Sequence, residues 1–71
     1  MEFKCRLELL LDERGISPYR LSKETGITQA TISRWRSSEI LPDGANLLKL
    51  SDYFGVSIDY LVGRSDIPER R

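Results

Sequence analysis

Residues 17–36, SPYRLSKETGITQATISRWR, carry the most restrictive pattern in the chain. Ser17 followed by Pro18 is typical of a helix start, because a serine hydroxyl caps free backbone N–H groups and a proline needs no N–H in the first turn. Gly26 supplies the left-handed backbone position that ends such a helix, and Thr28 offers a hydroxyl to cap the next one. The segment therefore predicts a short helix, a tight turn and a second short helix.

The second of these helices has one apolar side and one polar side. At about 100° per residue, Ile32 and Trp35 share the apolar side. The opposite side contains no acid and consists of small, amide and basic residues: Gln29, Ala30, Ser33, Arg34 and Ser37. An amide, a methyl group, a hydroxyl and a guanidinium can all contact the edges of base pairs in the major groove of DNA. An ordinary solvent-exposed face has a similar composition, so the residues alone leave both interpretations open.

The wider pattern resembles the helix-turn-helix domain of the Xre/Cro family, which includes the phage lambda repressor. The resemblance runs from Arg6 to Asp66 and rests on the segments ISPYRLSKETGIT, TISRW and LLKLSDYFGVSIDYLVG, together with Pro42. It implies an all-α, five-helix lambda repressor-like domain whose second and third helices form the helix-turn-helix. It also implies a sequence-specific DNA-binding transcriptional regulator, in the simplest case a small phage or bacterial repressor that occupies an operator.

The resemblance also assigns roles to individual residues, because in this family the second motif helix enters the major groove. The residues expected to read bases are Gln29, Ala30, Ser33 and Arg34. The residues expected to hold phosphates are Ser17, Thr31, Arg36 and Ser37. Many relatives pair an arginine at the position of Leu11 with a glutamate at the position of Arg36, and here the first residue is apolar and the second basic. The loss of that pair is expected to free Arg36 for a phosphate.

Charge is distributed unevenly along the 71 residues, although the net charge is zero. Residues 17–38 carry one acid and four bases, whereas residues 39–71 carry six acids and four bases. A modest positive patch implies few phosphate contacts and weak binding by a single domain. Two domains together would compensate, and the resemblance implies binding to paired half-sites, so we expect a homodimer on double-stranded DNA with a palindromic operator. Its self-contact surface is expected within residues 58–67, from apolar side chains that the core does not need: Tyr60, Val62 and Ile67.

The other helices are predicted from hydrophobic spacing and capping residues. Apolar residues recur at helical spacing over about residues 3–14, and Asp43 and Ser57 are the expected caps of a fourth and a fifth helix. Residues 1–66 are interpreted as one helix-turn-helix domain and residues 67–71 as a flexible tail. The predicted core draws apolar side chains from every helix: Leu7, Leu10, Leu21, Ile27, Ile32, Trp35, Ile40, Leu47, Leu50, Phe54, Val56 and Leu61.

Composition argues against several other classes of protein. The single Cys5 cannot form an internal disulfide and there is no histidine, so neither a disulfide scaffold nor a Cys/His zinc site is expected. No apolar run approaches the ~20 residues of a bilayer-spanning helix, and we expect a cytoplasmic protein without membrane contact. No phosphate-binding glycine loop or activated nucleophile indicates catalysis. We therefore expect that the protein is not an enzyme and that it binds no cofactor, metal or small-molecule ligand.

A protein-interaction module is the alternative interpretation. Residues 39–71 are acidic and partly apolar, a composition that also suits an antitoxin or an adaptor that binds a partner protein. Antitoxins often bind DNA as well, so the two functions can coexist. Binding of DNA by the purified chain alone would separate them.

Overall fold

The structure is a computed structural model that describes residues 2–38 and 40–69. Within these residues there are five helices and no strand: α1 (Phe3–Arg14), α2 (Pro18–Thr25), α3 (Gln29–Ser37), α4 (Gly44–Phe54) and α5 (Ile58–Leu61). The predicted all-α fold of five helices is confirmed. No described helix is both long enough and apolar enough to cross a membrane.

The four later helices begin at the capping residues that the sequence indicates. In each case the side-chain oxygen of the cap accepts a hydrogen bond from the backbone N–H three residues further on, at 2.9–3.2 Å: Ser17, Thr28, Asp43 and Ser57. Glycines with positive φ close three of the helices: Gly15, Gly26 and Gly55. These caps satisfy backbone groups that a helix end would otherwise leave without partners.

The helices enclose a single apolar core. Leu7 of α1, Leu21 of α2 and Leu50 of α4 are completely buried within it. Phe3 meets Trp35 edge to face, with ring centroids 5.8 Å apart, so that α1 packs directly on the inner side of α3. Ten of the twelve predicted core residues are buried. The core therefore holds the helix-turn-helix from behind and leaves the other side of α3 in solvent.

Two expectations about apolar residues are wrong. Ile40 was expected to enter the core, but it is 54% exposed, and the neighbouring Pro42 is buried in the loop instead. Tyr60 was expected on a self-contact surface, but it is buried, because its ring lies under the guanidinium of Arg6 with 3.7 Å between Cζ and the ring centroid. Leu47, the other predicted core residue that is not buried, is half-buried.

The segment after α5 returns to the body of the domain. The backbone N–H of Ser57 donates to the Pro68 carbonyl at 2.9 Å, and Arg6 donates to the Asp66 carboxylate at 3.2 Å. Residues as far as 68 thus contact the domain. The flexibility of residues 67–71 stays a prediction, and residues 70 and 71 lie outside the described part of the chain.

Candidate nucleic-acid interface

Side-chain hydrogen bonds hold the turn between α2 and α3. The hydroxyl of Ser22 donates to the Ile27 carbonyl at 2.6 Å. The hydroxyl of Thr25 donates to the Leu21 carbonyl at 2.7 Å and accepts from the Ile27 N–H at 3.2 Å. Ile27 itself is buried, so the middle of the turn is anchored in the core. These contacts set the position of α3 relative to α2 without any ligand.

One side of α3 faces solvent. Four residues of this side are exposed, and we call them the outward face: Gln29, Ala30, Ser33 and Arg34. Ile32 and Trp35 are buried on the opposite side of the helix, as the periodicity predicts. The side chains of Gln29 and Arg34 form no hydrogen bond or ion pair with any other residue in the ranges 2–38 and 40–69. They can therefore contact a ligand without first breaking an internal contact.

The residues predicted to hold phosphates lie at the ends of the two motif helices. Ser17 is exposed and caps α2, accepting from the Arg20 N–H at 3.1 Å, which leaves its hydroxyl proton available. Thr31, in the first turn of α3, is half-buried, with its hydroxyl 2.8 Å from the hydroxyl of Thr28. Ser37 is exposed at the other end of α3, where its hydroxyl donates to the Arg34 carbonyl at 3.4 Å. Thr31 and Ser37 belong to the same helix as the outward face, and Ser17 lies at the start of the other motif helix. The contacts of these hydroxyls with DNA stay predictions.

Arg36 differs from its expected free state, because its Nε donates a hydrogen bond to Glu8 of α1. This bond raises the pKa of Arg36, whose guanidinium is protonated in any case. The Arg36 side chain is nevertheless 41% exposed. Glu8 lies one helical turn before Leu11, the position at which many relatives have an arginine. This domain thus also has an ion pair between its first and third helices, but here the cation lies on α3.

The rest of the motif surface carries further positive charge. Arg20 lies 3.4 Å from Glu24, one turn further along α2, and the amine of Lys23 lies 5.5 Å from the centre of the Tyr19 ring. All four residues are exposed. Exposed pairs of this kind are weak and easily exchanged for contacts with a ligand. Arg20 and Lys23 are thus accessible cations on α2, the other helix of the motif.

Two hydrogen bonds tie α4 to other helices, and one of them reaches the motif. The Tyr53 hydroxyl of α4 donates to the Glu24 carboxylate of α2. This bond lowers the pKa of Glu24, with Arg20 as a second cause, and raises the pKa of Tyr53. Arg14 at the end of α1 donates to the Phe54 carbonyl at the end of α4, at 2.7 Å. The first contact holds α2 against α4, and the second holds the end of α1 against the end of α4.

Sequence reasoning missed Glu8, which belongs to this site through Arg36. Glu8 is an acidic residue within α1, and nothing near it in the sequence indicates a partner. A signal did exist, because the relatives described by the resemblance join these same two helices by an ion pair. In those relatives the glutamate is on the third helix, where this chain has Arg36. An acid on α1 is therefore the expected partner of Arg36, and Glu8 is such an acid.

This all-α domain, with an exposed polar helix behind a capped turn, has the architecture of a helix-turn-helix protein. The helix-turn-helix family model matches residues 7–61. The chain belongs to this family, and the predicted Xre/Cro type is confirmed.

The relatives carry names of transcriptional regulators. The chain is 41% identical over 59 residues to an uncharacterized HTH-type transcriptional regulator of Haemophilus influenzae, covering 83% of this chain and 24% of that protein. It is 27% identical over 67 residues to the HTH-type transcriptional activator BcrR of Enterococcus faecalis, covering 94% and 33%. It is 45% identical over 42 residues to Repressor protein C2 of Salmonella phage P22, covering 59% and 19%. The chain therefore spans a third or less of each of these curated relatives.

A solved structure has the same fold. The crystal structure of a transcriptional regulator from Listeria innocua superposes with a TM-score of 0.77 at 32% sequence identity. The superposition covers 87% of this chain and 58% of that one. The fold predicted from the sequence is thus found in an experimentally determined regulator.

Proposed function

We propose that this chain is a sequence-specific DNA-binding transcriptional regulator that occupies an operator, with α3 in the major groove. The outward face of α3 carries this proposal, because it is exposed, free of acids and held in place by the capped turn behind it. Relatives named as regulators and as a repressor support it. A regulator of this kind would act on DNA in the cytoplasm.

The chemistry of the outward face fits recognition of bases. Gln29 in the first turn of α3 can make two hydrogen bonds to an adenine, and Arg34 can make two to a guanine. Ala30 offers a methyl group for a thymine methyl, and Ser33 can donate to or accept from either kind of base. In helix-turn-helix proteins the start of the second motif helix is the end that enters the groove. Gln29 is therefore proposed as the deepest contact.

The proposed phosphate contacts come from both motif helices. Ser17 at the start of α2, with Thr31 and Ser37 on α3, would donate hydroxyl hydrogen bonds to phosphate oxygens, and Arg36 would add a charged contact. Such contacts orient a protein on the duplex and carry no direct sequence information. We expect them to contribute affinity for DNA of any sequence.

A homodimer on a palindromic operator completes the proposal. Residues 17–38 carry only four bases, so one copy would bind weakly. Two copies would read half-sites about one helical turn, ~34 Å, apart. Since Tyr60 is buried, we propose that the self-contact uses Leu48 and Ile67, which are exposed and line the same open groove. Footprinting tests this, because a symmetric dimer protects two related half-sites, and protection of one non-palindromic half-site at saturation would exclude it.

Selection of bound duplexes from random DNA by the purified chain tests the main proposal. We expect a short enriched sequence with two-fold symmetry. The double variant Gln29→Ala/Arg34→Ala should not enrich that sequence. Lys49 is an exposed residue of α4, and the control variant Lys49→Ala should enrich the same sequence as the unmodified chain. Failure to enrich any sequence would contradict the proposal. In a reporter strain, occupation of the enriched operator should lower expression from an overlapping promoter.

A further inference from the structure

We infer that Glu8, which lies outside the helix-turn-helix, positions Arg36 for a phosphate of bound DNA. Glu8 is thus a positioning residue that strengthens DNA binding even though it carries the same charge as the DNA. This inference rests on the proposed DNA binding and adds a residue of α1 to the interface. It concerns affinity for any sequence rather than the choice of bases.

The choice of nitrogen on Arg36 is the central observation. Glu8 accepts a hydrogen bond from Nε, the nitrogen nearest the chain. Neither terminal nitrogen forms a hydrogen bond with a residue in the described ranges 2–38 and 40–69. An arginine can bind a phosphate with two terminal N–H groups at once, in a fixed planar geometry. The bond to Glu8 therefore leaves the phosphate-binding end of Arg36 accessible in solvent.

The benefit of this arrangement is a restricted side chain. An unrestrained arginine on a helix surface samples many rotamers, and binding a phosphate removes that freedom. Glu8 is attached to α1, which is held against α3 by the contact between Phe3 and Trp35. A hydrogen bond between the two rigid helices limits the positions of the guanidinium before DNA arrives. Part of the entropy loss of binding is then already incurred in the free protein.

The opposing effect is repulsion between the Glu8 carboxylate and DNA. Distance decides between attraction by Arg36 and repulsion by Glu8. The carboxylate lies on the Nε side of the guanidinium, so a phosphate bound at the terminal nitrogens is closer to the guanidinium than to the carboxylate. The Debye length is about 8 Å at physiological ionic strength, so salt weakens the longer-range repulsion between Glu8 and the phosphate more than it weakens the direct contact. Direct contact of the protonated guanidinium with phosphate is therefore expected to outweigh repulsion by Glu8.

Two substitutions at Glu8 separate these effects. Glu8→Gln retains the side-chain length and an oxygen that can accept from Nε, but removes the charge. Glu8→Asp retains the charge but shortens the side chain, so that the guanidinium can no longer be held in the same place. Positioning predicts that Glu8→Asp weakens binding and that Glu8→Gln retains most of it. Simple repulsion predicts that Glu8→Gln tightens binding and that Glu8→Asp has no effect.

The experiment measures affinity against NaCl concentration for a labelled random-sequence duplex and for the duplex that the unmodified chain selects. We expect Glu8→Asp to weaken binding to both duplexes by roughly three- to tenfold near 0.1 M salt and to reduce the salt slope by up to about 0.9, the value for one phosphate contact. In an Arg36→Ala background, Glu8→Asp should have no further effect. Asp12→Asn, one turn along α1, is the matched control for the removal of an acid.

The outcomes distinguish this inference from the proposed function. If the unmodified chain selects no DNA, both fail. If it selects DNA but Glu8→Asp leaves affinity and salt slope unchanged, only the role of Glu8 is overturned. Tighter binding by Glu8→Gln, or an effect of Glu8→Asp that persists in the Arg36→Ala background, also overturns it. Thermal unfolding of each variant checks that all are folded at the temperature of the measurement.

Discussion

The guanidinium of Arg6 packs on the ring of Tyr60 and donates from Nε to the carbonyl of the same residue at 2.9 Å. Its Nη2 reaches the Ser65 carbonyl and the Asp66 carboxylate, each at 3.2 Å. Arg6 is only 4% exposed, so this charge depends on protein acceptors rather than on water. A single side chain of α1 thus holds α5 and the segment that follows it.

Arg6→Ala should destabilise the domain by about 2 to 4 kcal/mol, because buried carbonyls lose their donor and the ring loses its cover. Urea denaturation measures this as a lower midpoint. Lys4→Ala on the same helix is the control and should cost less than about 1 kcal/mol. Asp66→Asn should also cost less than about 1 kcal/mol, since the Asp66 side chain is 97% exposed. Equal losses for Arg6→Ala and Lys4→Ala would contradict this role for Arg6.

Arg34→Ala should alter sequence preference as well as affinity. A bidentate contact to a base contributes about 1 to 3 kcal/mol of discrimination, so affinity for the best site should fall roughly ten- to a hundredfold and preference should flatten at one base pair per half-site. Arg36→Ala is the contrasting variant, since loss of a phosphate contact should weaken all sequences about equally. Binding to a library of operator variants measures both effects. An even loss across the library for Arg34→Ala would make Arg34 a phosphate contact.

Gly26→Ala and Gly44→Ala should change stability in opposite directions. Gly26 has φ of 78°, and an added Cβ would meet no atom within 4 Å, so the cost is backbone strain of about 1 to 2 kcal/mol. Gly44 begins α4 without a positive φ and has the same open space, so alanine should stabilise by about 0.4 to 1 kcal/mol through the unfolded chain. Urea unfolding of both variants tests the pair. A gain in stability for Gly26→Ala would show that the turn adopts another conformation.

Tyr53→Phe should lower stability only over a middle range of pH. The hydrogen bond from Tyr53 lowers the pKa of Glu24 in the folded protein. The bond therefore contributes its full stability above the pKa of an unfolded glutamate, about 4.3, and that stability is lost as the pH falls through the lower pKa of the folded state. The same bond raises the pKa of Tyr53, so the contribution is also lost as the pH rises through a value above about 10. Between these two pH limits, the midpoint of thermal unfolding of Tyr53→Phe should lie furthest below that of the unmodified chain.

Tyr19→Phe is the matched control for this pH dependence. Tyr19 is exposed, its hydroxyl has no hydrogen bond within the described residues, and its ring contact with Lys23 survives in phenylalanine. Its stability should follow that of the unmodified chain at every pH. A constant difference between Tyr53→Phe and the unmodified chain from acid to alkaline pH would show that the lost hydroxyl acts through packing instead.

The sequence by itself determined the five helices and the outward face of α3. Ser17, Gly26 and Thr28 act on backbone groups within four residues of themselves, so the motif could be recognised from a short window. The burial of Ile32 and Trp35 likewise needs only the helical period and no knowledge of what packs on them. Local chemistry of this kind is visible in the order of the residues.

Only the tertiary structure decided which charged and aromatic residues meet. Cys5 is exposed and Arg6 is buried, the reverse of what residue type favours, because the acceptors that make a buried guanidinium favourable come from residues 54 to 60 positions further along the chain. The contact between Glu8 and Arg36 likewise spans 28 positions. A polar helix face shows which residues can be charged at the surface, but the partner of each charge depends on how separate helices are placed against one another.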